Sequence, residues 1–430
     1  MSAVHAASLE LFETCSIRPP TENASLSFRL TRNCYWNKCA FCPVYKCGAR
    51  FSRRSIDEVF ADVDRAAALD DYLYERGIGF PVYTTADYAR AAGVAEEIRK
   101  ARWEAGALDP VVPDEEPVEV SPRMRWFMQW FRGRPSIEDC VSQLVNWRIA
   151  GGSTCFLGDS DGLVLKADFL CAVLERVRER FGSIRRFTIY GRTRSAARMR
   201  SLRELERMRA AGLSRVNFGL ESGSDRVLEA VRKGITARDH VDGCRATREA
   251  GLSCSVYVMP GLGGAALSDE HARETARVLG LARPEYVRLR SLEIFPDSPL
   301  EEEFLSGRFV PCTEEQVARE IRVIIEATEG EMEIASDSAS NLLEIFGRLP
   351  EDRPAMLEEI DRYLALSPRE KLEFSFRRRL GAFAGQYGGI TDDIEEALEP
   401  LLKNGRIDLS RADDALLSSL IALVRGKLMP

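Results

Sequence analysis

Two hydrophobic periods alternate along this chain. Downstream of Gly151, short apolar runs of strand length are separated by stretches with helical spacing. The strand candidates are Ser153–Leu157, Arg186–Tyr190, Arg215–Leu220, Ser253–Met259 and Tyr286–Leu292, with helices near 167–181, 200–211, 236–250 and 268–281. Each helix-to-strand turn carries a breaker: Gly182, Gly212, Gly251 or Pro284. A further strand, Ser25–Thr31, stands upstream. A helix follows it from Ser55, where Ser55 and Glu58 have capping-box spacing and Ile56, Val59, Phe60 and Val63 share one face. Strands joined by helical crossovers predict a parallel sheet, which right-handed connections and strand twist curl into a barrel. Six such units are too few to close eight strands. The fold class expected is therefore α/β, a partial (β/α)6 TIM-like barrel over residues 25–310.

Residues 1–24 read as a loose lead-in containing the Pro19-Pro20 break. The pattern breaks again over 71–135, read as a helical insertion. It holds an acidic, proline-bearing segment, Asp109–Pro122, and an aromatic run, Trp126–Phe131. Aromatics at this spacing more often pack a core than line a pocket. Residues 311–430 turn helical and charged, with a small helical C-terminal domain expected over 350–430.

Composition narrows the classes. An apolar fraction of 45% supplies a sizeable core, and a net charge of −7 argues against a general nucleic-acid binder or a protein of anionic membranes. The arginines between Arg185 and Arg215 keep a local basic surface open. No run of 18 apolar residues and no basic-then-apolar leader occurs, so a cytoplasmic protein is expected. Eleven cysteines, an odd number without paired spacing, suit a reducing compartment.

Three of them carry the candidate chemistry. After the first strand the chain reads T-R-N-C-Y-W-N-K-C-A-F-C-P-V-Y-K-C, placing Cys34, Cys39 and Cys42 in a C-x4-C-x2-C loop. Thiolates this close can converge on one inorganic centre. Three are one short of a closed cubane or a structural zinc site, so a bound metal would keep an open position. The triplet also admits half of a zinc site, or ordinary thiols. Cys47 reads as a plain loop cysteine.

This loop resembles the cluster loop of the radical S-adenosylmethionine (radical SAM) superfamily, with one residue more than usual in the first gap and the family's aromatic, Phe41, before the third cysteine. The resemblance spans roughly residues 25–300 and implies a [4Fe–4S] cluster on Cys34, Cys39 and Cys42 whose fourth iron takes the amino and carboxylate groups of SAM. The strand ends extend the likeness. Gly158-Asp159 resembles the family's Gly-Gly-Glu motif at the SAM amino group, with Asp in place of Glu. Arg192, and more weakly Arg194, could pair with the SAM carboxylate or an anionic substrate. Gly219-Leu220-Glu221-Ser222-Gly223-Ser224-Asp225, continued by Lys233-Gly234-Ile235-Thr236, matches many family sequences almost letter for letter and offers Glu221 as a SAM ligand. The segment from Met259 to Gly264 would lie along the adenine through its backbone. His271 reads as a capping or packing residue. In the tail, Asp337–Asn341 and Gly347–Pro350 resemble an uncharacterised subgroup, in which histidine often stands at the place of Ser338.

The resemblance implies reductive cleavage of SAM to a 5′-deoxyadenosyl radical, hydrogen abstraction from a small-molecule substrate, oxygen sensitivity, and a reductase such as flavodoxin or ferredoxin as partner. The alternatives are a nucleic-acid-modifying radical SAM enzyme acting on tRNA, or a non-catalytic iron–sulfur or zinc protein.

Overall fold

The structure, a computed structural model, describes residues 3–15, 17–46, 50–79, 84, 86–107, 121, 124–125 and 136–428. Cys47, the aromatic run 126–131 and most of 109–122 lie outside the described residues. Eight strands form the main sheet: β1 Leu26–Arg29, β2 Thr154–Gly158, β3 Arg186–Gly191, β4 Leu213–Glu221, β5 Ser253–Val258, β6 Tyr286–Leu289, β7 Met332–Ala335 and β8 Phe346–Leu349. Their order in the sheet follows their order in the chain. Up to β7 that is the singly wound order of (β/α) barrels, with helices between successive strands.

The chain divides into two compact units, residues 1–219 with 238–255, and residues 220–237 with 256–430. In the first, β1 pairs in parallel with β2, β2 with β3, and β3 with β4. All four residues of β1 are buried, and Phe28, Phe156, Phe187 and Phe218 supply the largest buried rings of these strands. Burying a Phe side chain is worth about 1.5–3 kcal/mol, so this aromatic row is a main source of cohesion. The Ser55 cap forms as its spacing predicts. Its hydroxyl accepts from the Glu58 N–H while the Glu58 carboxylate accepts from the Ser55 N–H, starting helix Ile56–Glu75.

The lead-in is not loose. Leu9, Leu11, Phe12 and Cys15 are buried, and the Phe12 ring lies 5.9 Å from that of Phe28. A Pro-Pro break ends secondary structure but leaves the preceding apolar residues free to pack. The described part of the insertion, helix Asp87–Glu104, packs against helix Ile137–Ile149 and the N-terminal helix Ala3–Ser8.

In the second unit the sheet runs beyond the six strands expected. β7 pairs in parallel with β6, and β8 pairs antiparallel with β7. Both lie in the segment read as helical. Each has four residues, too short for a period to register, although Met332 and Ile334 point inward around an exposed Glu333. Residues 350–430 are mostly helical. Their core gathers Phe376, Phe383, Ile394, Leu417, Leu420 and Val424, built by helices Pro368–Tyr387 and Asp414–Arg425 with their neighbours.

Candidate functional site

The cysteine loop is a closed excursion. Thr31 and Arg32 pair antiparallel with Arg53 and Ser52, tying its two ends together. Two contacts cross its waist. The Asn37 amide donates to the Tyr45 carbonyl at 2.5 Å, and Lys46 Nζ donates to the Asn37 carbonyl at 2.5 Å. Asn33, at φ 66°, turns the chain into the loop while its Oδ1 accepts from the Cys34 N–H at 2.6 Å. Asn tolerates this left-handed backbone better than most residues.

Cys34, Cys39 and Cys42 form no disulfide and are half-buried. Desolvation pushes the Cys42 thiol up to about 12, with the neighbouring Cys39 and Cys34 sulfurs adding to the rise and the Val44 N–H and Lys46 opposing it. The Cys42 sulfur therefore feels the other two. Among the described residues, no three His, Cys, Asp or Glu side chains converge as ligands to a single ion. A cubane does not need that convergence, because each thiolate binds a different iron.

The end of β2 holds the loop from behind. Asp159 is buried. Its Oδ2 accepts from Arg29 Nε at 2.8 Å, and its carboxylate also accepts from the Asn33 N–H. Desolvation raises the Asp159 carboxyl and Arg29 opposes the rise. Arg29 thus commits the acid that sequence reasoning offered to the SAM amino group. Gly158 is required for a different reason: a Cβ there would come within 2.7 Å of the Cys15 sulfur.

Arg192, just beyond β3, is buried against the same loop. Its guanidinium lies 4.7 Å from the Trp36 ring and 5.4 Å from the Tyr35 ring, and Nη1 donates to the Tyr35 hydroxyl at 3.3 Å. Beneath it, buried Asp161 accepts from the Ser195 hydroxyl at 2.6 Å and from the Arg192 N–H, and desolvation raises its carboxyl to about 6. Phe41 is half-buried within the loop. Gly158, Asp159, Arg192, Phe41 and the three cysteines thus all belong to the first unit. Sequence reasoning missed Arg29, Tyr35, Trp36 and Asp161. An arginine in the strand that runs straight into the cysteine loop was the available signal for the first.

Glu221 and Met259 belong to the second unit. Glu221 ends β4 at φ 64°, its Oε1 accepts from Lys233 Nζ at 2.9 Å, and its carbonyl accepts from the Met259 N–H at 2.9 Å. The letters after it each have a packing role. The Ser222 hydroxyl meets His271 Nδ1 at 2.8 Å. A Cβ on Gly223 would sit 2.2 Å from the Glu274 carbonyl. Ser224 caps helix Asp225–Ala230 and donates to Glu270 at 2.6 Å.

His271 is fully buried and desolvation lowers it to about 4, so it stays neutral. Its Nε2 lies 3.8 Å from Glu320, which accepts from the Gly261 N–H and the Ser268 hydroxyl, both at 2.6 Å. Burial pushes the Glu320 carboxyl up to about 7. Glu320 went unnoticed in the sequence because it sits among other acids on an amphipathic helix, Glu314–Ala327.

The arginines of the 185–215 stretch are largely committed. Arg186, Arg198, Arg200 and Arg207 each pair with a carboxylate, of Glu22, Asp239, Glu204 and Asp168 in turn.

Residues 128–279 match the family model of the radical SAM superfamily. The match covers 152 of the 430 residues, and proteins of that family bind a [4Fe–4S] cluster and SAM. The matched segment covers β2 to β5 and begins after the cysteine loop. No curated protein sequence matches.

Among solved structures, the chain is similar to Elp3 from the archaeon Methanocaldococcus infernus, at 17% identity and TM-score 0.37 over 56% of this chain and 60% of that one. It is also similar to the methyltransferase TsrM from Kitasatospora setae, at 16% identity and TM-score 0.38 over 66% of this chain and 39% of that one. A third is coproporphyrinogen III oxidase (HemN) from Escherichia coli, at 13% and TM-score 0.35 over 98% of this chain and 92% of that one. The chain thus spans 60% and 39% of the length of the first two. The likeness to the family rests on the sequence match alone. Among the described residues, no helix is long and apolar enough to cross a membrane.

Proposed function

We propose that Cys34, Cys39 and Cys42 hold a [4Fe–4S] cluster with one iron left for SAM, and that the enzyme abstracts hydrogen from a small-molecule substrate. The observation that carries this reading is the loop itself: three half-buried thiols on a chain tied at both ends, with Cys42 raised by burial and then by the two others, upstream of a segment that matches a family using such a cluster. The donor set fits, since thiolates are the ligands of iron–sulfur cubanes and three leave one corner open. When bound and reduced, cluster and SAM together supply a 5′-deoxyadenosyl radical.

The chain's own residues position and shield. Arg29 and Asp159 brace the start of the loop, a fixed strut that keeps Cys34 in place. Arg192, clamped on Tyr35 and Trp36, presents a planar cation to the SAM carboxylate. Glu221 offers a carboxylate to the SAM amino or ribose groups if Lys233 gives way. The backbone from Met259 to Gly264 lies along the adenine, and Phe41 shields the cluster from water and oxygen. A small flavodoxin or ferredoxin supplies the electron. Four of the ten arginines in 185–215 pair with acids, which reduces the basic surface open to tRNA and favours a small molecule as substrate.

The test is anaerobic reconstitution with iron and sulfide. A brown protein with about four irons per chain, releasing 5′-deoxyadenosine from SAM under a strong reductant, is expected. A colourless protein that binds zinc and leaves SAM intact contradicts the proposal.

A further inference from the structure

Within the second unit, a cavity of about 230 Å³ opens beyond the C-terminal ends of β5 and β6. Chemistry gathers at this end of strands in (β/α) barrels. Its walls are mainly apolar, with Leu292, Ile294, Phe304, Val317 and Leu342 among them. Phe304 remains 42% exposed, so apolar surface there is left without a protein partner.

One wall carries four charges in an alternating row. Arg425 forks onto Glu293 at 3.1 and 3.0 Å; Glu293 lies 3.8 Å from Arg379; Arg379 donates to Glu314 at 3.0 Å and to the Ser340 carbonyl at 2.6 Å. The middle of the row is inaccessible, with side chains 9% exposed at Glu293 and 3% at Arg379. The ends are reachable, at 35% for Arg425 and 23% for Glu314. The buried Nε–H of Arg379 has no acceptor among the described residues, which costs free energy until something supplies one.

A row of two cations and two anions is neutral; its two ends are themselves paired, but Arg425 keeps Nη1 and Glu314 keeps Oε2 without a partner among the described residues. A singly charged ligand would unbalance it. A ligand bearing both a carboxylate and an ammonium group, with an apolar remainder, matches both ends and the walls. The size suits it too, since the cavity is smaller than the ~300–1,000 Å³ typical of drug-sized ligands.

We infer that this cavity binds the α-amino and α-carboxylate groups of an apolar amino acid, its carboxylate toward Arg425 and its ammonium toward Glu314. That this ligand is also the molecule attacked rests on the proposed radical chemistry, whereas its binding does not.

The experiment is calorimetric titration of the reconstituted anaerobic protein with leucine, phenylalanine and tryptophan, then with N-acetylphenylalanine and phenylalaninamide. Saturable binding of at least one free amino acid is expected. For phenylalanine, each analogue should bind at least about tenfold more weakly, the loss of one charge-assisted contact. Arg425→Gln should weaken phenylalanine about tenfold but leave phenylalaninamide unchanged. Glu314→Gln should do the mirror image with N-acetylphenylalanine. No saturable binding, analogues binding as well as the parent, or variants that keep the wild-type charge dependence would each overturn the inference. Assay of 5′-deoxyadenosine on the same sample reports separately on the radical chemistry, so failure of one reading is not mistaken for failure of the other.

Discussion

Two strand ends, each closing on a carboxylate, are built for opposite purposes. At the end of β2, Asp159 is 2% exposed, held by the Nε–H of Arg29 and by the Asn33 backbone. At the end of β4, Glu221 is 8% exposed, and its side-chain partner is Lys233, a compact charge on a flexible stem. The first pair is an arginine contact sunk in the core, and removing either partner strands a buried charge. The second is also buried, with side chains 10% and 11% exposed, but its cation is a lysine ammonium, which a ligand's amino group could replace. Sequence alone read both acids as SAM ligands. The partners distinguish a strut from an exchangeable ligand.

The sharpest way to break this comparison is at the loop that the strut supports. Replacing Cys34, Cys39 or Cys42 with Ala should reduce both bound iron and 5′-deoxyadenosine release to background, read by iron analysis and chromatography, with the circular dichroism of the fold retained. Next is the strut itself. Arg29→Met leaves Asp159 uncompensated and should cost about 3–5 kcal/mol in urea unfolding. Lys233→Met, at the exchangeable pair, should cost only about 1–2 kcal/mol while changing the KM for SAM. Equal losses at the two sites would erase the distinction.

How far each feature could be read from the chain follows the same physics. The strands β2 to β5, the Ser55 cap and the cysteine loop were legible because each has a local signature: period, capping spacing, clustered thiols. β7 and β8 were not, because strands of four residues carry no period and are decided by the edge they complete. The packing of Phe12 on Phe28 was hidden for a similar reason, since it joins residues whose sequence positions say nothing of their meeting. At the site, the acids and Arg192 were visible as residue types at strand ends. Their commitments, Arg29 to Asp159 and Tyr35 and Trp36 to Arg192, were not, because pairing is a property of the folded chain.

A smaller effect concerns Glu320. Its carboxyl sits at about 7 rather than 4.5, so the folded chain holds a proton that the unfolded chain has lost. The associated stability is fully present below pH 4.5 and is lost as pH rises through about 7. His271, lowered from 6.5 to about 4, acts in the opposite sense and loses stability as pH falls below 6.5, so the two oppose each other in mildly acidic solution. Glu320→Gln should therefore raise stability by about 1–3 kcal/mol at pH 8 and flatten the decline between pH 6.5 and 8. A wild-type curve without that decline would contradict the burial argument. The smallest contrast is between glycines. Gly223→Ala drives a Cβ into the Glu274 carbonyl and should cost about 1–3 kcal/mol, whereas Gly182→Ala meets nothing within 4 Å and should stay within about 0.5 kcal/mol.

The most direct test of the central assignment is electron paramagnetic resonance of the reconstituted, reduced protein with and without SAM. A cubane held by three sulfurs has one iron free to take SAM, so its spectrum should shift when SAM is added. A spectrum indifferent to SAM, or the absence of any cluster signal, would contradict it.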